Sequence, residues 1–393
     1  MFSGFSALEL FGAFGTAVTI FGGGVQIGRR VGASTQLAEL QKSLETEQEK
    51  SRALASTLAS IRSVLDDNAD VWLRNPPDVG KHLAEIRSSI PIVTVCNFKG
   101  GVGKTTLTSM LAGYFDLHKG KRVLLIDFDY QGSLTDALLA SVDLPQIEAT
   151  SLHLIESNKA ADDVVAHAYP LQPVLSKTKL FSCFYGFNRL ENSVMMRWIA
   201  NNENEARFAT HRVLSDPAVQ KNFDIVLIDA PPRLSTGTVN AFCASTHVLI
   251  PTILDSMSTQ AALNTLKVVS DFRDKLNPGL EVLGVVPTLV SKAELNGREL
   301  DHLQRMVERL PEYWKRAPLP YVFRDNRICR REAVATALGA NLPFNSSDDV
   351  QRMVISLGDA ITERLFTHEG EGTSEPSSAS SNVASFNAAR RRA

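Results

Sequence analysis

Eight consecutive residues near position 100 have the side chains and backbone freedom needed to hold a chain of phosphates. They read KGGVGKTT and are Lys99, Gly100, Gly101, Val102, Gly103, Lys104, Thr105 and Thr106. The glycines allow a tight turn whose N–H groups face an anion, and a following helix adds positive potential at its N-terminus. Lys104 supplies a charge for the β- and γ-phosphates, and Thr105 supplies a hydroxyl ligand for magnesium. The segment predicts a site for ATP and Mg²⁺ rather than a glycine turn with only a structural role.

Three aspartates follow apolar segments that are typical of buried strands. Asp127 and Asp129 close the stretch that begins at Arg122, and Asp229 closes the stretch that begins at Ile225. An open α/β sheet binds ligands at the carboxyl ends of its strands, so we expect these carboxylates near the phosphates. Phosphoryl transfer depends on positioning and charge neutralisation. No efficient proton acceptor accompanies these residues, which predicts slow hydrolysis.

Together these motifs resemble those of the ParA/MinD family of ATPases, which have a deviant Walker A motif. The first point of resemblance is Lys99, a second lysine that precedes the glycines. The second is VLLIDFDYQGSLT at 123–135, with Tyr130 where the family usually has proline. The third is FDIVLIDAPP at 223–232, which is similar to the family's Walker B strand. The resemblance extends in outline over 91–366 and is close only around these motifs.

The resemblance implies a homodimer that encloses two ATP molecules. It implies that Lys99 reaches the nucleotide held by the partner subunit and that Asp129 orients the attacking water, which makes these two the expected catalytic residues. It also implies that Asp127 acts in the magnesium shell and that Asp229 approaches magnesium through water. With Thr105, these two aspartates form the expected metal site.

The order of elements from residue 91 onward predicts a doubly wound, mostly parallel α/β sheet with helices on both faces. Strands and helical segments alternate there, and the strands are short, β-branched and almost continuously apolar, as in parallel sheets buried on both faces. We expect this P-loop domain to occupy residues 91–366. The clearest predicted strands are Ile92–Cys96, Arg122–Ile126, Ile225–Ile228, His247–Pro251 and Glu281–Val286.

The first 30 residues predict a membrane anchor. No charged residue occurs over 10–27, a length that just reaches the roughly 18 residues needed to span a bilayer. Arg29 and Arg30 follow, and the positive-inside rule would keep the rest of the chain on the cytoplasmic side of the inner membrane. The alternative is a buried or partner-packed hairpin in a cytoplasmic protein.

Residues 31–74 predict a coiled-coil helix, because apolar residues recur at alternating steps of three and four. An amphipathic helix lying on the chain's own globular domain is the alternative. Residues 75–90 read as a linker with a short helix, Val79–Ser88, and the composition of 367–393 predicts a disordered tail. The heptad positions are Leu37, Leu40, Leu44, Glu47, Ser51, Leu54, Leu58, Ile61 and Leu65.

The net charge of −2 provides no basic field over the whole chain, so any DNA binding needs a local patch. A helix beginning near Phe323 would bring four arginines to one broad face, and non-specific DNA contact is one reading of them. A solvated face or internal salt bridges are the other reading. The four are Arg324, Arg327, Arg330 and Arg331. The four cysteines are widely spaced, which favours free thiols and indicates no metal besides magnesium.

These features favour a membrane-tethered switch ATPase of the partition and positioning class, with a partner protein that stimulates hydrolysis. The alternative is a membrane-tethered coiled-coil module in which ATP gates recruitment of an effector without DNA binding. A tyrosine kinase is disfavoured because no tyrosine follows Phe366, and a reductase is disfavoured because no cysteines are paired.

Overall fold

The computed structural model describes residues 38–56, 58, 71–74, 88–139, 142, 148–156, 160–201, 206–292, 294–331 and 342–366. The chain divides into two compact units, Met1–Arg62 and Ser63–Ala393. The predicted membrane segment 10–27, the linker over 75–87 and the tail 367–393 lie outside the described residues. Ser88 is described and is not helical. Across the described ranges, no helix has the length and apolarity that a bilayer span requires.

In the first unit, residues 38–56 form a helix. Four leucines of the predicted heptad seam are more than half exposed: Leu40, Leu44, Leu54 and Leu58. The coiled coil itself stays a prediction.

The second unit is built on a seven-stranded sheet of order β3-β4-β2-β5-β1-β6-β7. Every pair of neighbouring strands is parallel except β3 and β4. The five predicted strands are confirmed, and their ends differ from the expectation by at most one residue. The strands are β1 (Ile92–Val95), β2 (Val123–Asp127), β3 (Tyr169–Pro170), β4 (Thr178–Phe181), β5 (Ile225–Asp229), β6 (His247–Thr252) and β7 (Glu281–Pro287).

Helices cover both faces of this sheet, which confirms the predicted doubly wound fold. Successive strand residues point to opposite faces, so Ile92 belongs to one hydrophobic cluster and Val93 to the other. The helices are α1 (Lys104–Gly113), α2 (Ser133–Leu139), α3 (Leu152–Ile155), α4 (Ala161–Val165), α5 (Gly186–Asn201), α6 (Ala209–Leu214), α7 (Pro217–Asn222), α8 (Thr236–Ala244), α9 (Ser256–Lys275), α10 (Gly297–Tyr313) and α11 (Asp348–Phe366). Single 3₁₀ turns occur at Val71–Leu73, Ala206–Phe208 and Pro343–Asn345.

The predicted helix beginning near Phe323 is wrong. The chain there runs beside β7, with isolated bridges from Val322 to Val285 and from Cys329 to Val290. The N–H of Phe323 donates to the carbonyl of Val285 over 2.9 Å. Buried apolar side chains hold this stretch against the sheet, and its N–H groups are satisfied laterally, so a helix is not needed to pair them.

Candidate functional site: a phosphate-binding pocket

The glycine-rich segment forms the loop between β1 and α1. Gly101 and Gly103 have φ values of 74° and 84°, a left-handed conformation that other residues adopt only at a cost. Gly103 precedes the first turn of α1 and no side chain caps that turn, so its N–H groups remain available to an anion. Lys104 is 7% exposed, and its Nζ donates to the carbonyl of Lys99 over 3.1 Å. The loop is therefore shaped as the sequence predicts.

This loop opens onto a cavity of about 570 Å³. That volume lies within the range of small-molecule sites, about 300–1,000 Å³. The wall combines predicted residues with five that sequence reasoning missed. Ser133 lies within the 123–135 motif and Asp136 directly follows it, which is the signal that could have found them, whereas nothing local marks Leu289. The lining is Gly100, Gly101, Gly103, Lys104, Thr105, Thr106, Asp129, Ser133, Asp136, Ala137, Pro232 and Leu289.

Thr105, in the wall of this cavity, contacts Asp229 at the end of β5. The Thr105 hydroxyl donates to Oδ2 of Asp229 over 2.6 Å, while Oδ1 of Asp229 is buried with no hydrogen-bond partner. Burial raises the pKa of Asp229 to about 7, against the opposing effects of Thr105 and Lys104. A buried carboxylate oxygen without a partner is costly unless a cation or water satisfies it. A threonine hydroxyl beside such an oxygen fits Mg²⁺, which prefers oxygen ligands.

Asp127 lies beside Asp229, because the two occupy paired positions on β2 and β5. Its Oδ2 accepts hydrogen bonds from the backbone N–H and the hydroxyl of Thr135, at 3.0 and 2.8 Å. Its Oδ1 accepts from the N–H of Asp129 over 3.0 Å. Burial, and then the charge of Asp229, raises the pKa of Asp127 well above its usual range. Both carboxylate oxygens of Asp127 thus hold the loop after β2 in place. The magnesium role of Asp127 stays a prediction.

Asp129 lines the wall of this cavity. The side chain is half-buried, and its Oδ1 accepts from the N–H of Gln131 over 3.1 Å. This contact fixes the carboxylate at the mouth of the loop. The position is compatible with the predicted water-orienting role.

The side chain of Lys99 contacts the start of α9. Its Nζ donates to Oγ of Ser258 over 2.8 Å and lies 3.4 Å from Oδ1 of Asp255. Asp255 also caps α9 by accepting from the N–H of Ser258. Burial alone would raise the pKa of Asp255. The hydrogen bonds from Ser258 and the charge of the Lys99 ammonium together have the larger, opposite effect, so the pKa of Asp255 is below its usual value. Within this chain Lys99 is an ion-pair partner of α9.

The four arginines considered for DNA contact do not share a helix face, because their segment is not helical. Arg327 donates to the carbonyl of Arg324, and the guanidinium of Arg331 donates to Asp349 over 2.9 Å. Arg330 is exposed. Arg327 and Arg331 therefore make contacts within the chain, as the salt-bridge reading of these arginines expects.

Known proteins share this sequence pattern and fold. A family model described as an AAA domain matches residues 90–282. An uncharacterized protein of Mycobacterium tuberculosis is 32% identical over 228 residues, covering 56% of this chain and 63% of that protein. The chain thus spans less than two thirds of that relative's length.

Two further similarities concern a sporulation protein and a solved structure. The sporulation initiation inhibitor protein Soj of Bacillus subtilis is 30% identical over 215 residues, covering 51% of this chain and 72% of Soj. The structure of apo McdA from Cyanothece superposes with a TM-score of 0.56 at 21% identity, covering 70% of this chain and 99% of McdA, and supports the fold. Since the match to Soj covers most of that protein, and the loop and aspartates of the motifs meet at one sheet edge, this chain belongs to the ParA/MinD family of P-loop ATPases.

Proposed function

We propose that the protein binds ATP with Mg²⁺, hydrolyses it slowly and acts as a dimeric switch of the ParA partition and positioning class. The observation that carries this proposal is the bond between Thr105 and Asp229 beneath a loop whose N–H groups remain open. The family relationship and the partition ATPases among the relatives, such as the chromosome-partitioning ATPase Soj of Thermus thermophilus, support the class.

In the proposed reaction the loop N–H groups and Lys104 hold the β- and γ-phosphates. Thr105 and Asp229 would hold the magnesium ion, which supplies charge neutralisation on the phosphates when bound. Asp129 orients the attacking water, and Lys99 of the partner subunit completes the charge around the transferred group. Among the described residues, the cavity wall offers only the carboxylates of Asp129 and Asp136 as proton acceptors. Turnover should therefore be slow, as a timer requires.

Steady-state hydrolysis by the purified full chain tests this proposal. We expect Mg²⁺-dependent turnover well below about 10 per second, the median for ordinary enzymes. Turnover above that value would contradict the timer, and the absence of nucleotide binding would contradict the switch altogether. Sedimentation with ATP and with ADP should show the dimer only with ATP.

Tethering to the cytoplasmic side of the inner membrane through residues 10–27 is a further part of the proposal. Fractionation of cells that express either the full chain or a chain beginning at Arg29 tests it. We expect only the full chain to pellet with membranes. A full chain that stays soluble would remove the anchor and favour a cytoplasmic protein.

The exposed leucines of the first unit favour a second candidate function. In that reading a membrane-tethered coiled coil recruits an effector, and ATP gates the recruitment without any DNA binding. Co-sedimentation separates the two readings, because ATP-dependent binding to non-specific DNA supports the partition switch. Binding to vesicles with no affinity for DNA supports the interaction module.

A further inference from the structure

Helix α5 presents one buried face along its whole length. The residues on this face are Phe187, Glu191, Val194 and Trp198, and they are 1%, 3%, 6% and 7% exposed. Their spacing of four, three and four residues keeps them on one side of a helix. Glu191 and Trp198 stand two turns apart, about 10 Å along the axis at 1.5 Å per residue. The α5 face can therefore contact two distant regions at once.

The first turn of α5 contacts the loop that follows β2. The ring of Phe187 stacks on the ring of Phe128, with centroids 5.9 Å apart and an interplanar angle of 22°. Phe128 stands between Asp127 and Asp129, and its N–H donates to the carbonyl of Asp229 over 3.0 Å. Any movement of the loop that carries Asp129 must therefore displace the ring against which α5 packs.

The next turn of α5 holds the loop that follows β5. The buried Glu191 carboxylate accepts hydrogen bonds from the Ser235 hydroxyl at 2.7 Å, from the Gly237 N–H at 2.8 Å and from Arg233 at 2.8 Å. A Cβ on Gly237 would stand 3.1 Å from Oε1 of Glu191, so this approach is tight. A buried carboxylate with three donors is costly to separate from them. A movement of the loop after β5 must therefore move helix α5 as well.

Arg233 links the two loops to each other. Its guanidinium lies over the ring of Tyr130, 4.9 Å from the centroid, while it donates to Glu191. Tyr130 directly follows Asp129, and Pro232, which lines the phosphate cavity, directly precedes Arg233. The loops that follow β2 and β5 thus both converge on α5.

The far end of α5 holds the segment Val71–Arg74, here termed the Trp72 segment. The rings of Trp72 and Trp198 stack with centroids 5.6 Å apart and an interplanar angle of 6°. Arg207, which is 1% exposed, donates to the carbonyls of Trp72 and Arg74 at 2.8 and 2.5 Å. Its guanidinium also lies 4.8 Å from the ring centroid of Trp198. The Trp72 segment is therefore fixed to α5 by a stacked pair and a buried cation.

We propose that α5 couples the occupant of the phosphate pocket to the docking of the Trp72 segment, with Glu191 as the positioning residue of this coupling. This inference rests on the proposed function only in requiring that a nucleotide enters the pocket. A nucleotide that resets the loops after β2 and β5 shifts Phe187 and Glu191, and the rigid helix carries the shift to Trp198. In the sequence, the Trp72 segment lies at the end of the N-terminal region, just before the predicted linker 75–90, so a change in its docking carries the state of the pocket to that region.

The coupling is reciprocal, because a ligand and a docked segment that influence each other must do so by the same factor. Weakening the Trp72 segment must therefore change nucleotide affinity. The chain contains three tryptophans, so Trp314→Phe leaves Trp72 and Trp198 as the reporters of the stacked pair. Near-ultraviolet circular dichroism of that variant reports the geometry of the pair, and calorimetry reports nucleotide binding independently.

The experiment compares full-length Trp314→Phe with no nucleotide, with Mg²⁺ and a non-hydrolysable ATP analogue, and with Mg-ADP. We expect the signal of the tryptophan pair to change with the analogue. Adding Glu191→Gln should abolish most of that change while calorimetry still detects binding. Glu308→Gln, an exposed glutamate of α10 in contact with Gln304, is the matched control and should leave the change intact.

In the reciprocal arm, Trp72→Ala should change the affinity for the analogue by about fivefold or more, the lower end of typical coupling. Trp72→Phe keeps an aromatic ring on Trp198 and should restore most of the affinity, which separates coupling from misfolding. Binding with no change in the tryptophan signal, together with unaltered affinity in Trp72→Ala, would overturn the coupling and leave ATP binding intact. Failure of the parent to bind the analogue would overturn the coupling and the proposed function together.

Discussion

The hydroxyl of Thr105 donates to Oδ2 of Asp229 over 2.6 Å, and this bond joins the first turn of α1 to the end of β5. It brings together two residues that are 124 positions apart in the chain. The second oxygen of Asp229 is buried and has no partner, so the pair is arranged as one side of a cation site. Both groups come directly from residues that the sequence motifs single out.

Removing the hydroxyl in Thr105→Ala should weaken Mg²⁺-dependent ATP binding by about tenfold or more, because the proposed ion loses an oxygen ligand, and loss of even a supporting group at a metal site typically costs about 10–100-fold in affinity. Thr105→Ser keeps the hydroxyl and should retain most of the affinity. Calorimetry with Mg²⁺ and with a chelator measures both variants. Equal losses with and without magnesium would show that Thr105 acts on the loop and not on the ion.

Asp129→Ala should retain ATP binding and lose hydrolysis. A group that positions the attacking water contributes to the transition state and little to ground-state affinity, so we expect turnover to fall by about 100-fold. Asp301→Asn, on the exposed surface of α10, is the control. If turnover falls by less than about threefold at saturating ATP, another group orients the water.

Asp255→Asn should make ATP-dependent dimerisation easier. In the proposed dimer Lys99 must leave Asp255 and Ser258. A partly exposed ion pair stabilises the conformation in which Lys99 contacts α9 by about 0–1 kcal/mol, so its loss shifts the dimerisation equilibrium by up to about fivefold. Asparagine still caps α9, so folding should be unaffected. Sedimentation equilibrium measures the effect beside Asp271→Asn, which removes the ion pair of Lys267 on the same helix. An unchanged dimerisation constant would mean that the contact of Lys99 with α9 persists in the dimer.

Cys96 should resist alkylation in the folded protein. It is fully buried at the end of β1, and burial raises the pKa of its thiol to about 12. The thiolate is the reactive form, so labelling by iodoacetamide near neutral pH should require unfolding. Peptide mass spectrometry with and without denaturant checks this. Rapid labelling of the native chain would show that the strand end beside the loop opens readily.

Much of the sheet edge that carries the phosphate-binding loop could be predicted from local sequence. The glycine conformations, the buried strands and the aspartates at their ends are determined by short motifs, and the structure places Thr105, Asp129 and Asp229 at the carboxyl edge of the sheet. Their roles in binding and hydrolysis stay predictions. The contacts of Glu191 could not be predicted, since its partners Arg233, Ser235 and Gly237 stand 42, 44 and 46 residues away. No periodic pattern links such positions.

Two further outcomes depended on tertiary contacts. Helical spacing of arginines suggested a helix near Phe323, but hydrogen bonds to β7 compete successfully for the same N–H groups. Strand β4 has only four residues and includes Lys179, so its apolar signal is too short to separate it from a loop. Its place beside β2 follows from backbone pairing between distant segments.

In the proposed dimer two subunits enclose ATP, and each contributes Lys99 to its partner's nucleotide. Sedimentation of Lys99→Ala in the presence of Mg²⁺ and a non-hydrolysable ATP analogue tests this arrangement, beside Lys267→Ala as a control on the exposed face of α9. We predict that Lys99→Ala still binds the analogue but remains monomeric, whereas the control dimerises as the parent does. A Lys99→Ala protein that dimerises like the parent and hydrolyses ATP at the parental rate would show that Lys99 does not act on the partner's nucleotide.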